Sequence, residues 1–399
     1  MIDFQNALNL VLKNTQQLNT EEIPIEKSVG RILKEDIYCR IEMPPFDKSA
    51  MDGYAVIAKD IKRVPARLKC TGVIQAGDNR REKIDRGECM KIMTGAPMPE
   101  NSDSVIMIEH TRQDGLYVEM ERKIAKGENV CYQGEDLKIG QKVLGKNTEI
   151  SSSNIALLAT VGRRFVKVTG KPKVAVLNTG AEIMQAGRKL VKNKIYNSNG
   201  PMLLALLESD GIKADFLGIA RDEPAELRKA IKKGLKADML LISGGVSMGD
   251  YDLVPQILKS VGVKIIFHKV RIKPGKPLLF GKKETKVVFG IPGNPVSNFS
   301  TYIMFIRPAV YKMMGYDSYA ARFEQGIIEK EFHQKIGRKH FVLAKIVKRD
   351  NSYRLIPLKS YGSADVLALS RADGFMVMEP DTAIVKKNSR IGFVTWKKI

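Results

Sequence analysis

The segment that most constrains the fold is Met239-Leu240-Leu241-Ile242, followed by Ser243-Gly244-Gly245-Val246-Ser247-Met248-Gly249-Asp250. A short apolar run ending in a glycine cluster reads as a strand buried on both faces. Strands of that kind belong to sheets covered by helices, and the surrounding sequence supplies the helices. Across residues 171–313, the runs 173–177, 216–219, 239–242, 263–268 and 287–290 read as strands. The stretches 199–208, 223–235, 253–260 and 296–305 read as helices between them. Asn199 or Gly200 serves as the cap of the first helix and Pro201 lies in its first turn. The alternation of strands and helices predicts a three-layer α/β domain with a mostly parallel sheet.

In such a sheet the Ser-Gly-Gly loop lies at the carboxyl edge, where open α/β folds bind ligands. Glycines there bring backbone N–H groups close to an anion. The same edge gathers Thr179, Gly180 and Glu182, then Asp222, then Ser243, Gly244, Gly245, Ser247, Gly249, Asp250 and Asp252. Lys273, Lys276 and Pro292-Gly293-Asn294-Pro295 follow. The lysines are compact cations suited to phosphate-like groups. Glu182, Asp222 and Asp252 offer the hard oxygen ligands that suit magnesium. Taken alone, Asp222 also reads as a cap for the helix starting near Pro224. Neither a GxGxxG nor a Walker A motif is present, which argues against a common dinucleotide site and a P-loop ATPase.

The flanks read differently. Residues 2–13 have the spacing of an amphipathic helix, and 23–42 read as extended pieces. Pro44-Pro45 breaks the chain. Residues 46–137 alternate short apolar runs (54–57, 68–74, 89–93, 104–109, 116–120) with turns, predicting a β-rich unit. Within it, Met51-Asp52-Gly53 and Met93-Thr94-Gly95 are unusual, although each also reads as a plain turn. Ser151 to Asn154 caps a short helix. Residues 320–399 return to strands at 326–329, 341–347, 353–357, 374–379 and 390–394, predicting a small β-barrel or sandwich.

Composition excludes some classes. Lys and Arg number 66 against 44 Asp and Glu, a net charge of +22. The charges are dispersed, without a basic block interleaved with aromatics, so a solvated surface is expected rather than nucleic-acid binding. Cys39, Cys70, Cys89 and Cys131 form no CxxC pair, and the four histidines are scattered, so neither a zinc site nor a disulfide framework is expected. With no apolar run of about 18 residues and no secretory leader, a soluble cytoplasmic protein without membrane contact is expected.

The chain resembles the molybdopterin molybdenumtransferase family, of the MoeA and gephyrin E-domain type. The resemblance rests on Pro44-Pro45-Phe46-Asp47-Lys48-Ser49-Ala50-Met51-Asp52-Gly53-Tyr54-Ala55, Met93-Thr94-Gly95-Ala96-Pro97, Gly134-Glu135-Asp136, Asn178-Thr179-Gly180 with Glu182, the 243–250 loop, Lys273-Pro274-Gly275-Lys276-Pro277 and Gly290-Ile291-Pro292-Gly293-Asn294-Pro295. These segments follow the family's order and span nearly the whole chain.

The resemblance implies an elongated, discontinuous first domain (1–43 and 138–170), a β-rich second domain (44–137), the α/β molybdopterin-binding domain (171–315) and a C-terminal β-domain (316–399). It implies a homodimer whose cleft pairs the α/β domain of one subunit with the second domain of the other. It further implies transient contact with a molybdopterin adenylyltransferase and with molybdoenzyme chaperones. The implied reaction converts adenylyl-molybdopterin and molybdate into molybdenum cofactor and AMP, with Mg2+. The resemblance places catalytic roles on Asp52, Thr94, Asp136, Glu182, Asp222, Asp252, Lys273 and Lys276, and binding of the pterin compound on Thr179, Gly180, Ser243, Gly244, Gly245, Ser247, Gly249, Asp250, Pro292, Gly293, Asn294 and Pro295.

Related chains often carry arginines just before Gly-Glu-Asp, where this one has Cys131-Tyr132-Gln133; either another residue such as Arg112, Arg122 or Lys126 makes that anion contact, or the contact is not required. Two rivals remain. A molybdopterin adenylyltransferase shares the α/β domain, but the 51–53 and 94–95 segments argue against it. A non-catalytic dimeric scaffold has no need of the lysines and carboxylates.

Overall fold

The computed structural model describes residues 1–246, 253–318 and 320–397. The chain divides into two compact units: Met1–Ile23, Ser28–Lys34 and Lys167–Ile399 form one, and Pro24–Lys27 with Glu35–Val166 forms the other.

The smaller unit is built on a six-stranded sheet in the order Ser104–Met107, Gly53–Val56, Glu88–Ile92, Ala66–Ile74, Tyr117–Met120, Thr111–Asp114. Alternate side chains leave opposite faces. Tyr54, Val56 and Cys89 enter one core with Leu68, Ile106 and Val118, while Ala55, Met90 and Ile92 enter a second with Ile74 and Val105. Both faces are covered, which is why these strands read as apolar runs rather than as alternations. The polar strand Thr111–Asp114 escapes sequence reading because it is a largely exposed edge. The helix Ser152–Thr160 begins with a capping box: Asn154 N–H donates to Ser151 Oγ (3.2 Å) and Ser151 N–H to Asn154 Oδ1 (2.9 Å).

In the larger unit the α/β sheet runs Asp215–Ala220, Val174–Thr179, Met239–Ser243, Lys286–Ile291, Leu279–Lys283, Lys264–His268. The first four strands are mutually parallel, Leu279–Lys283 is antiparallel to Lys286–Ile291, and Lys264–His268 is antiparallel to Leu279–Lys283. Leu279–Lys283 has no counterpart in the sequence reading. Two lysines and Gly281 dilute its apolar signal, yet a Cβ at Gly281 would press on Val263 (2.9 Å). Val174 and Val176 face one helical layer, Ala175 and Leu177 the other. The N-terminal helix Phe4–Asn14 joins the first layer through Phe4, Ala7, Leu8 and Val11, with Phe4 edge-on to Phe305 (5.4 Å).

The predicted helix 296–305 is longer than expected. Pro295–Thr301 continues into a π turn, Tyr302–Ile306, and then Arg307–Met313. Pro308 has no N–H for an α-helical bond, and the wider turn before it absorbs that loss. Asp210, after the helix Asn199–Ser209, ties to this segment. It accepts bonds from Tyr302 Oη (2.7 Å), Arg307 Nε (2.9 Å) and Tyr311 Oη (3.1 Å).

The C-terminal strands close into a barrel. Lys339–Arg349, Ser352–Pro357, Glu324–Ile328, Arg390–Thr395 and Gly374–Met378 follow one another, and the last pairs back onto the first. Of the two predicted forms, closure selects the barrel over the sandwich. Ile328, Val342, Ile346, Leu355, Met376 and Phe393 pack together as its core. Ile272–Lys273 adds in parallel beside the start of Lys339–Arg349. The six-residue helix Val366–Arg371 is too short to show a helical period in the sequence. No helix among the described residues is long and apolar enough to cross a membrane.

Candidate functional site

At the carboxyl edge of the parallel strands, Gly244 (φ 101°) and Gly245 (φ 61°) lie against Thr179. A Cβ on Gly244 would overlap the Thr179 carbonyl, and one on Gly245 would sit 2.8 Å from Thr179 Oγ1. Glycine is required here because two strand ends meet at van der Waals distance.

Ser243, only 1% exposed, lies beneath this contact. Its Oγ accepts bonds from Asn298 Nδ2 (2.8 Å) and Asn199 Nδ2 (3.1 Å). The Asn199 amide also reaches the Gly293 carbonyl (2.6 Å), and that of Asn298 the Pro292 carbonyl (3.4 Å). One hydroxyl thus anchors two helix starts and the Pro-Gly-Asn-Pro turn. Sequence reading missed both asparagines. Ser198, not Asn199, holds the cap position, and the Asn199 side chain turns inward. Asn298 left a usable signal: an amide inside an otherwise buried helix needs partners.

A cleft of about 570 Å³ opens over this floor. Thr179, Gly180, Glu182, Asp222, Ser243, Gly244, Gly245 and the 292–295 turn all line it. The Glu182 carboxylate oxygens lie 2.8 Å from where a Cβ at Gly180 would be, and Asp222 Oδ2 accepts from Ala181 N–H (3.3 Å). Two carboxylates therefore flank one turn. Glu223, rather than Asp222, takes the cap position of the helix Pro224–Gly234 and makes no side-chain cap bond. The donor set is all oxygen and suits a hard cation. Among the described residues no three His, Cys, Asp or Glu side chains cluster as a metal cage. Ser247, Gly249, Asp250 and Asp252 lie outside the described residues.

Lys273 and Lys276 line a second, neighbouring cleft of about 890 Å³ that shares Pro277, Pro292, Gly293 and Asn294 with the first. Arg338 and Lys359, unremarked in the sequence, line it with them, and no carboxylate does among the described residues. Asn294 Nδ2 bonds Ser363 Oγ (2.8 Å), joining the shared turn to the 359–363 loop.

The β-rich unit gathers the remaining candidates. Thr94 donates its N–H (2.7 Å) and hydroxyl (2.9 Å) to Asp52 Oδ1. These two bonds hold the exposed carboxyl below the ordinary carboxylate range. Gly53 enters a strand flanked by Ile92 and Met107, so Asp52-Gly53 is not a hairpin turn. A Cβ at Gly53 would collide with the Ile106 carbonyl. Ser49 exchanges backbone bonds with Gly95 and Ala96, Ala50 bonds Asn129, and Gly134 and Asp136 bond Pro44 and Met43. The 44–52, 94–97 and 134–136 segments are stitched into one face, with Asp136 exposed. Arg112 and Arg122 are already paired, with Glu119 (2.8 Å) and Glu128 (2.6 Å). Gln133 donates its backbone N–H to Asp47 (2.8 Å) and its side-chain amide to Glu42 (2.5 Å).

Three family descriptions match in chain order: the MoeA N-terminal region (domain I and II) over residues 2–162, a probable molybdopterin binding domain over 175–312 and the MoeA C-terminal region (domain IV) over 325–396. The molybdopterin molybdenumtransferase of Staphylococcus epidermidis is 32% identical over 384 residues, 95% of this chain and 91% of that one. The chain belongs to the MoeA family. A molybdopterin molybdenumtransferase of Staphylococcus aureus matches to the same extent. The crystal structure of the molybdopterin biosynthesis MoeA protein from Pyrococcus horikosii aligns over 100% of both chains at 31% identity, with a TM-score of 0.83. A second MoeA structure, from Pyrococcus horikoshii OT3, gives 0.78 at 28% identity. The α/β domain and C-terminal barrel described above are thus parts of a MoeA fold.

Proposed function

We propose that this MoeA-family chain is a molybdopterin molybdenumtransferase that takes adenylyl-molybdopterin and molybdate and yields molybdenum cofactor and AMP. The observation that carries the reading is the pair of clefts sharing one Pro-Gly-Asn wall, one lined by a glycine loop and carboxylates, the other by four cations. Both substrates are oxyanions. The lysines beside the glycine loop would bind them and stabilise charge as the phosphoanhydride breaks. Glu182 and Asp222 would hold Mg2+, which when bound supplies positive charge to the phosphoryl oxygens. Asp52, kept ionised by Thr94, and the exposed Asp136 would serve the same chemistry from the β-rich unit, in a homodimer by reaching the partner's cleft.

The test is AMP release from adenylyl-molybdopterin by the purified full chain, with and without molybdate and Mg2+. Molybdate-dependent release that falls in Asp52→Ala and Glu182→Gln variants is expected. No release under any of these conditions would overturn the reading.

A further inference from the structure

The cationic cleft contains one titratable ring. His340 stands near the start of the first barrel strand, in register beside Lys273 on one side and Met378 on the other. Its Nδ1 lies 3.1 Å from Gln334 Oε1. The Gln334 amide is oriented from its other end, where Nε2 donates to the Glu379 and Thr382 carbonyls, both at 2.8 Å. Oε1 is therefore an acceptor, Nδ1 carries the proton of the neutral ring, and Nε2 is left with its lone pair.

Among the described residues, the charges that act on this ring are positive. Lys273 lies alongside, Arg338 sits two residues earlier, and Lys276 and Lys359 line the same cleft. The acidic groups on the flanking segments are engaged elsewhere, Glu331 with His333 (2.7 Å) and Glu379 with Lys339 (2.7 Å). Burial, then Lys273 and Arg338, push the ring down to about 4, so it is neutral in the anion-free protein at physiological pH.

We propose that His340 is a proton-coupled ligand of the oxyanion in this cleft: as a tetrahedral dianion enters, Nε2 takes a proton from solvent and donates it in a hydrogen bond to the anion. This rests on the oxyanion reading of the cleft given above. An incoming dianion cancels the field that keeps the ring neutral, so binding and protonation favour each other by linkage. The ring adds a cation only when an anion is there to meet it, which favours a dianion over a monoanion.

The test uses calorimetric titration of the full chain with sulfate, which stays dianionic throughout, and with molybdate, in two buffers of different protonation enthalpy. Proton uptake on binding is expected, with affinity rising roughly three- to tenfold between about pH 7.5 and about pH 5.5. His340→Gln should bind with pH-independent affinity and no uptake. The resonance of the His340 ring in the unaltered protein should titrate at higher pH with sulfate than without it. Binding without proton uptake, an unchanged slope in His340→Gln, or an unmoved resonance overturns the proposal. Absence of binding by either anion at any pH, or binding that survives Lys276→Ala, overturns the reading of the cleft itself.

Discussion

Two donors of Thr94, its backbone N–H at 2.7 Å and its hydroxyl at 2.9 Å, converge on one oxygen of Asp52, 42 positions earlier in the chain. These two bonds lower the pKa of Asp52, and among the described residues no ion pair adds to them. Thr94→Val removes one donor, and Thr94→Ser keeps both. The Asp52 carboxyl should titrate higher in the valine variant, seen by NMR, with AMP release falling about tenfold. A carboxyl depressed in the folded state contributes stability above its ordinary pKa that is lost as pH falls through the lowered value, so the valine variant should lose less on acidification.

Asp210 is a buried acceptor for three side chains, and its partner Arg307 is mostly covered. Replacing it with Ala leaves a guanidinium and two hydroxyls without their acceptor. Chemical denaturation should show a loss of about 3 kcal/mol, because the residual unpaired charge outweighs the lost bond. Asp210→Asn, which keeps the volume and one acceptor oxygen, should lose less.

Gly244→Ala should cost more than a typical surface change. The new methyl group overlaps the Thr179 carbonyl, and the residue must keep a φ of 101°. A drop of about 2 kcal/mol or more is expected, with weakened binding of AMP as a probe for the cleft. Gly218, where a Cβ would meet open space, serves as a control, since it shares a positive φ without the contact.

His340 also bears on acid stability. The unfolded ring binds its proton near 6.5 and the folded one near 4, so the unfolded state holds more protons between those values. Stability should be full above about pH 6.5 and fall by up to about 3 kcal/mol towards pH 4. Urea midpoints of His340→Gln should show a shallower decline over that window than those of the unaltered protein.

Most of the architecture was legible because the two deciding signals are local. Buried strands print as apolar runs, and the loops between strand and helix print as glycine, proline and asparagine. Leu279–Lys283 was not legible because its burial comes from neighbours far away in sequence, and Thr111–Asp114 because an exposed edge strand has no apolar face. At the site, Glu182 and Asp222 could be paired from their positions after adjacent strands. The Asp52–Thr94 bond could be reached only through the family resemblance, since the Asp-Gly pair by itself looks like a hairpin. Asn199, Asn298, Arg338 and His340 were missed for a different reason. Asn298 alone left a signal, an amide in an otherwise buried helix, whereas nothing in the neighbourhood of the other three announces their place at the site.

Four cations held in one cleft, with a barrel strand as part of its wall, carry a consequence for the protein at rest. Their mutual repulsion persists for as long as the cleft holds no anion. An anion that relieves this repulsion acts as a folding ligand, because the unfolded chain has no such cluster to offer. Sulfate or phosphate should therefore raise the melting temperature more than chloride at equal ionic strength, and the protein's own thermal stability becomes a gauge of how much oxyanion surrounds it.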